Sequence, residues 1–162
     1  MNWEQRLNEL HIDLPPVAPP VAAYVPAKRA GNFVYTSGQL AFVDGKLGVT
    51  GKVGDKVTAD QAYAEARVAV LNAIAAAASV CGLNNIKSIV KVVGFVNSAE
   101  GFTGQAGVIN GASEMLGAIF GQAGQHARSA VGVAELPLDA AVEVELILSL
   151  IHISEPTRLG MI

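Results

Sequence analysis

Ala127-Arg-Ser-Ala-Val-Gly-Val-Ala-Glu-Leu-Pro-Leu-Asp-Ala-Ala-Val-Glu-Val-Glu145 is the stretch whose alternation decides the fold. It reads as two strands, around His126–Ala134 and Ala140–Leu148, joined by a turn that contains Leu136-Pro137. In the second strand Glu143 and Glu145 alternate with Val142, Val144 and Leu146. A period of two puts the carboxylates on one face and the aliphatic side chains on the other. In the first strand Arg128 interrupts a run of small and β-branched residues. A guanidinium on one strand and carboxylates on the next would form a site for a small carboxylate-bearing substrate.

Working outward, Thr58-Ala-Asp-Gln61 is a capping box, with a hydroxyl at the N-cap and an amide three residues on. It opens a helix running to about Val80 and stopping near Gly82, and its alanine-rich face allows close approach to a sheet. Ile86 to Val96, rich in Ile and Val, reads as a buried strand. A second helix spans about Ala106 to Phe120, weakened by interior glycines. Upstream, Val21–Val25 is a first strand, Gly31-Asn32 a turn and Phe33–Ser37 a second strand. Leu40–Val43 and Lys46–Val49 bracket the hairpin signal Asp44-Gly45. Asn2 to Leu10 forms a short helix with Trp3, Leu7 and Leu10 on one face. Leu14-Pro-Pro-Val-Ala-Pro-Pro20 excludes helix and central strand and reads as an extended arm. The order predicts an α+β domain, a mixed sheet with two helices packed on one face.

The chain of 162 residues is long enough for one domain with a core of its own. It is 51% hydrophobic and 15% charged, apolar enough to imply burial of surface between subunits. Net charge is −3 and no basic stripe is present, so no nucleic-acid partner is expected. The one cysteine, Cys81, excludes an intrachain disulfide and fits a reducing compartment. The start lacks the apolar core of a signal peptide. The uncharged stretch Val68–Ile86 is better explained by a buried helix and its exit turn than by a membrane span. The expectation is a cytoplasmic protein with no membrane partner. His11, His126 and His152 do not make metal-ligand spacing, so no metal site and no cofactor are expected. Residues after about Ser149 resemble a translated sequencing adapter and are set aside, His152 included. The organisation expected is residues 1–20 as helix and arm, 21–148 as the domain, and 149–162 as a non-native tail.

His126-Ala-Arg-Ser-Ala-Val131, Leu136-Pro137, Asp139 and Val142-Glu-Val-Glu145 together resemble the signature of the Rid (YjgF) family, also called L-PSP endoribonucleases. The resemblance covers nearly everything from Tyr24 to about Leu148. Tyr24 stands where the family has a pocket tyrosine, Thr36-Ser-Gly-Gln39 matches its strand-end Thr-Ser-Gly-Gln, and Asn110 its helix asparagine. Arg128 matches the defining arginine and Glu143 the acid of the last strand. The resemblance implies a chorismate-mutase-like fold and a homotrimer with sites between subunits. It also implies cofactor-free hydrolysis of reactive 2-imino acids to 2-oxo acids and ammonia.

In that setting Arg128 supplies a planar fork for a substrate carboxylate. Glu143 accepts a proton from the attacking water or holds that water in line. Tyr24 and Ser37 offer hydroxyls, and Gly38 lets backbone approach the ligand. The plainer readings are a solvated edge arginine, an exposed acidic face, a strand-ending turn at Ser37-Gly38, a capping asparagine and a packing tyrosine. The family's frequent cysteine two residues after the arginine is Ala130 here. The arm up to Pro20 and the loop from Asn97 to Gln105 are longer than the family core. The partner expected is a small carboxylate-bearing imine or 2-oxo acid. The alternatives are a trimeric module that binds 2-oxo acids without turnover, and a ribonuclease or translation inhibitor.

Overall fold

A computed structural model describes residues 2–17 and 23–152. The elements are α1 (Trp3–Glu9), β1 (Ala27–Ala30), β2 (Phe33–Thr36), β3 (Phe42–Val43), β4 (Lys46–Leu47) and α2 (Ala59–Cys81). They continue with β5 (Ile86–Asn97), α3 (Gln105–Phe120), β6 (Ala127–Val133) and β7 (Val142–Leu150). One mixed sheet has the order β1-β2-β7-β5-β6. Every pairing is antiparallel except β5 with β6.

The capping box forms as its spacing requires. Thr58 Oγ1 accepts from the Gln61 amide and Gln61 Oε1 accepts from the Thr58 amide. From there α2 lays Ala62, Ala66, Ala69, Ala73, Ala76 and Ala77 into the core. Such small side chains let α3 come close as well. At Gly111 of α3 a Cβ would sit 2.2 Å from the carbonyl oxygen of Tyr63 on α2. The interior glycine that weakens the helix by propensity is what the helix–helix contact requires. By length and hydropathy α2 resembles a membrane span, but its alanines pack against the sheet and α3.

Alternation along β7 is complete. Val142, Val144, Leu146, Leu148 and Leu150 are buried beneath the helices, while Glu143, Glu145, Ile147 and Ser149 face the other side. Among the described residues no layer covers that second face of the sheet, and Phe33 and Tyr35 stand exposed at its β2 end. At the N-terminus Trp3 seats α1 on the core: its Nε1–H donates to the Ile86 carbonyl at 2.7 Å. Its ring meets Phe120 edge-on at 4.9 Å.

Three expectations need correction. The first strand is Ala27–Ala30; residues 23–25 form no strand, and residues 21 and 22 lie outside the described set. Its Ala-Lys-Arg-Ala sequence hides no apolar alternation because it is an edge strand, where lysine and arginine are expected. The last strand runs to Leu150, which is buried and donates its amide to the Asn32 carbonyl. The tail boundary at 149 therefore falls inside β7, and residues 153–162 lie outside the described set. Finally, β6 and β7 are not neighbours: β5 runs between them. The Leu136-Pro137 connection steps over the end of β5 and is fastened there by the fully buried Asn97. Asn97 Nδ2 donates to the Ala140 carbonyl at 3.0 Å and to Asp139 Oδ1 at 3.1 Å.

Candidate active site

Arg128 lies on β6 opposite Val92 of β5, which in turn pairs with Leu146 of β7. Val92 and Leu146 point under the helices, and Arg128 shares their face. Its guanidinium reaches α3. Nη1 donates to Asn110 Oδ1 at 2.8 Å and to Ser113 Oγ at 3.2 Å, and Nη2 makes a long bond to the Ala106 carbonyl at 3.4 Å. Ala106, Asn110 and Ser113 fall at i, i+4 and i+7, one stripe of a helix. A guanidinium has five N–H donors, and among the described residues three are engaged this way. The remaining two are Nε–H and one Nη2–H, a parallel pair that fits the two oxygens of a carboxylate.

Glu143, Gly38, Ser37 and Tyr24 form a second group. The end of β2 is stitched to β7: Thr36 Oγ1 accepts from the Leu146 amide, and Gln39 exchanges both backbone bonds with Val144. This stitching lays Gly38 directly over the Glu143 side chain, where an added Cβ would lie 2.3 Å from Oε1. Glycine is needed here for close approach. Ser37 holds the segment before β1 in place, its Oγ–H donating to the Val25 carbonyl at 2.6 Å and its amide to the Pro26 carbonyl at 2.8 Å. Its hydroxyl proton is thus committed, leaving oxygen lone pairs for a ligand. Tyr24, next to that anchor, is 55% exposed and is no core packing residue.

Glu143 is half-buried, and this desolvation pushes its carboxyl above the usual carboxylate range; Glu145 beside it adds to the rise. Both causes favour the protonated form. The group is therefore moved toward the range where a carboxylate serves as a general base near neutral pH.

The two groups are on opposite faces of the sheet. Arg128 and Asn110 lie on the helix side, while Glu143 projects from the open side. The sheet itself separates them, so one small molecule cannot touch both within a chain. Two concavities of the single chain touch neither group. One, of about 150 Å³, is lined by Tyr35, Lys91, Glu145 and Ile147; the other lies between α1 and the end of α3. The sequence reading named Tyr24, Ser37, Gly38, Asn110, Arg128 and Glu143 as one site. The chain itself brings Arg128 to Asn110 on one face of the sheet and Gly38 to Glu143 on the other, and Ser113 was not named. The signal for Ser113 was its spacing, one turn beyond Asn110 on the same helical stripe.

A chain with this sheet order, two helices on one face and this arginine–asparagine pair belongs to a known class. The family model described as "YjgF/chorismate mutase-like, putative endoribonuclease" matches residues 4–150, and the chain belongs to that family. Among curated relatives, Protein TCP17 of Trypanosoma cruzi is 40% identical over 146 residues, 89% of this chain and 91% of the relative. A 2-iminobutanoate/2-iminopropanoate deaminase of Dermatophagoides farinae is 37% identical, with 82% and 90% covered. The mitochondrial protein MMF1 of Saccharomyces cerevisiae is 34% identical, with 81% and 78% covered. Of solved structures, Atu1372 of Agrobacterium tumefaciens, described as of unknown function, superposes with a TM-score of 0.83. It is 41% identical, with 91% and 92% of the two chains covered. TdcF of Escherichia coli with bound serine has a TM-score of 0.61 at 25% identity, with 84% and 93% covered.

Proposed function

We propose that the protein hydrolyses reactive 2-imino acids to 2-oxo acids and ammonia, in sites formed between the subunits of a homotrimer. The observation behind this reading is the Arg128 guanidinium, held by α3 with two parallel N–H donors left over. A ligand with an α-carboxylate is what such a pair selects. The serine bound to TdcF is a ligand of this kind, and the mite relative is named for this reaction.

The mechanism follows from the two groups. Arg128 fixes the carboxylate and hence the imine carbon beside it. Glu143, drawn toward a neutral working range, takes a proton from water as its oxygen bonds to that carbon. With the imine taken up in its protonated form, this gives a neutral carbinolamine. Glu143 returns its proton to the nitrogen, and as the C–N bond breaks the O–H proton passes to the freed carboxylate, leaving the 2-oxo acid and ammonia. Ser37, Gly38 and Tyr24 border the Glu143 side and shape the space for water and substrate. Because Arg128 and Glu143 lie on opposite faces, the site requires Arg128 of one subunit and Glu143 of another. Burial of the open sheet face by neighbouring copies accounts for the exposed Phe33 and Tyr35 and for a chain that is 51% hydrophobic. The single cysteine supports placement in the cytoplasm, although one relative is named as mitochondrial.

The test is a coupled assay in which an amino-acid oxidase generates 2-iminopropanoate and release of pyruvate and ammonia is followed. The wild-type protein is expected to accelerate release over the spontaneous rate and Arg128→Ala to leave that rate unchanged. A wild-type protein without acceleration overturns the reading.

A further inference from the structure

Two side chains behind Arg128 form a directed hydrogen-bond chain. Ser113 Oγ, which accepts from Arg128 Nη1 at 3.2 Å, is also 2.8 Å from His126 Nε2. His126 Nδ1 is 2.6 Å from the carbonyl oxygen of Gly124, a buried residue. A carbonyl can only accept, so Nδ1 carries a proton, and in the neutral ring Nε2 then presents a lone pair. With the ring neutral, Ser113 is left one arrangement: its O–H donates to Nε2, and its lone pairs turn to the guanidinium. The chain therefore runs in one direction, from guanidinium to hydroxyl to imidazole to backbone carbonyl.

Ser113 and His126 have the spacing of a hydroxyl nucleophile and its base. That role is disfavoured here, because the oxygen lone pairs a nucleophile would use already accept from a cation. The arrangement suits holding Arg128 still. Without Ser113, the guanidinium would be held by Asn110 on Nη1 and only a long 3.4 Å bond from Nη2 to the Ala106 carbonyl, which leaves its plane loosely set. A second acceptor, itself oriented by His126, fixes the plane.

We infer that Ser113 and His126 are positioning residues that lock the Arg128 guanidinium so that Nε–H and Nη2–H stand ready as a preset pair for a substrate carboxylate. The inference rests on Arg128 being the carboxylate anchor. Preorganisation lowers the ordering cost of binding. The carboxylate grip is the same in ground and transition states, so its loss appears in KM rather than kcat.

The experiment has two arms. In the first, NMR of the labelled protein measures rotation about the Arg128 Nε–Cζ bond. Loss of one charge-assisted bond is expected to speed this rotation about tenfold in Ser113→Ala and His126→Phe. His126→Gln, whose Oε1 offers Ser113 an acceptor near the position of Nε2, is expected to restore the slow rate. Glu114→Gln is the control, because Glu114 is bonded to the Tyr63 hydroxyl instead. In the second arm, KM for 2-iminopropanoate rises about tenfold in Ser113→Ala and His126→Phe with kcat little changed, and His126→Gln recovers most of it. Unchanged rotation in both variants overturns the inference whatever the kinetics show. Faster rotation with unchanged KM overturns it too. If the wild-type protein does not accelerate imine hydrolysis, the deaminase reading fails on its own. The second arm is then read as the Kd for 2-oxobutanoate, where about a tenfold weakening supports the inference and no change overturns it.

Discussion

Around Arg128 the described residues supply three contacts: two side-chain acceptors and a carbonyl from α3 hold the guanidinium. Around Glu143 the chain supplies far less. Gly38 covers the carboxyl, burial raises its proton affinity, and Tyr24 stands largely in solvent. One group is closely held by its own helix, and the other is a half-buried acid on a sheet face that no described residue covers. The difference teaches where to look for assembly. If the proposed assembly forms, the less enclosed half is the one a neighbouring copy would complete.

The severest test of the contrast is removal of the closely held group. Arg128→Ala is expected to lower kcat/KM at least about a hundredfold, from loss of a bidentate charge-assisted contact. Arg128→Lys recovers little, since an ammonium cannot reproduce the parallel pair. Glu143→Gln comes next, with kcat lower by about a hundredfold, the usual scale of general-base loss. The same substitution should stabilise the protein. Glu143 binds its proton more tightly folded than unfolded, so the folded form loses stability as pH rises from the ordinary carboxylate range through the raised value. Thermal melts should show Glu143→Gln more stable than wild type at pH 7, the gain fading toward pH 4. A variant no more stable at pH 7 would mean that the acid is solvated in the assembled protein.

Mixing the two variants sharpens the comparison directly. Each alone is expected to keep about a hundredth of the activity or less, yet if the protein is the proposed trimer, about a quarter of the seams in random mixtures pair an intact Arg128 with an intact Glu143. Denaturing and refolding an equal mixture should return about that fraction of wild-type activity. No recovery would place both groups in one chain's site or rule out the trimer. Gly38→Ala is milder. The intruding methyl meets the movable end of Glu143, and displacing that carboxylate costs about tenfold in kcat with little change in melting. Gly111→Ala has the smallest effect on activity. Its methyl meets immovable backbone at Tyr63, so about 1–3 kcal/mol of stability is lost by overpacking, read by urea unfolding, while KM stays unchanged.

Much of this was legible in the sequence because periodicity is a local property. The alternation of Val142-Glu-Val-Glu145 and the Thr58/Gln61 cap each depend on a few successive residues, and both appear where the residues place them. What was not legible is the spatial order of strands. Nothing in residues 127–145 says that β5 slips between the two strands they encode, since that follows from long-range pairing. The face of Arg128 relative to Glu143 was hidden for the same reason. β1 was misplaced because Ala27-Lys-Arg-Ala is an edge strand, whose exposed charges erase the apolar pattern on which strand reading depends. Ser113 was overlooked because a single serine inside a helix carries no local sign of its partner on β6.

The strand at the centre of the sheet is also the last of the described elements along the chain. β7 pairs with β2 on one side and β5 on the other, so during translation those two strands wait with open edges until the ribosome releases residues near Leu150. A message cut short before Val142 yields a chain whose waiting edges can join only each other's copies. Such fragments should clump or be degraded rather than persist as smaller folded proteins.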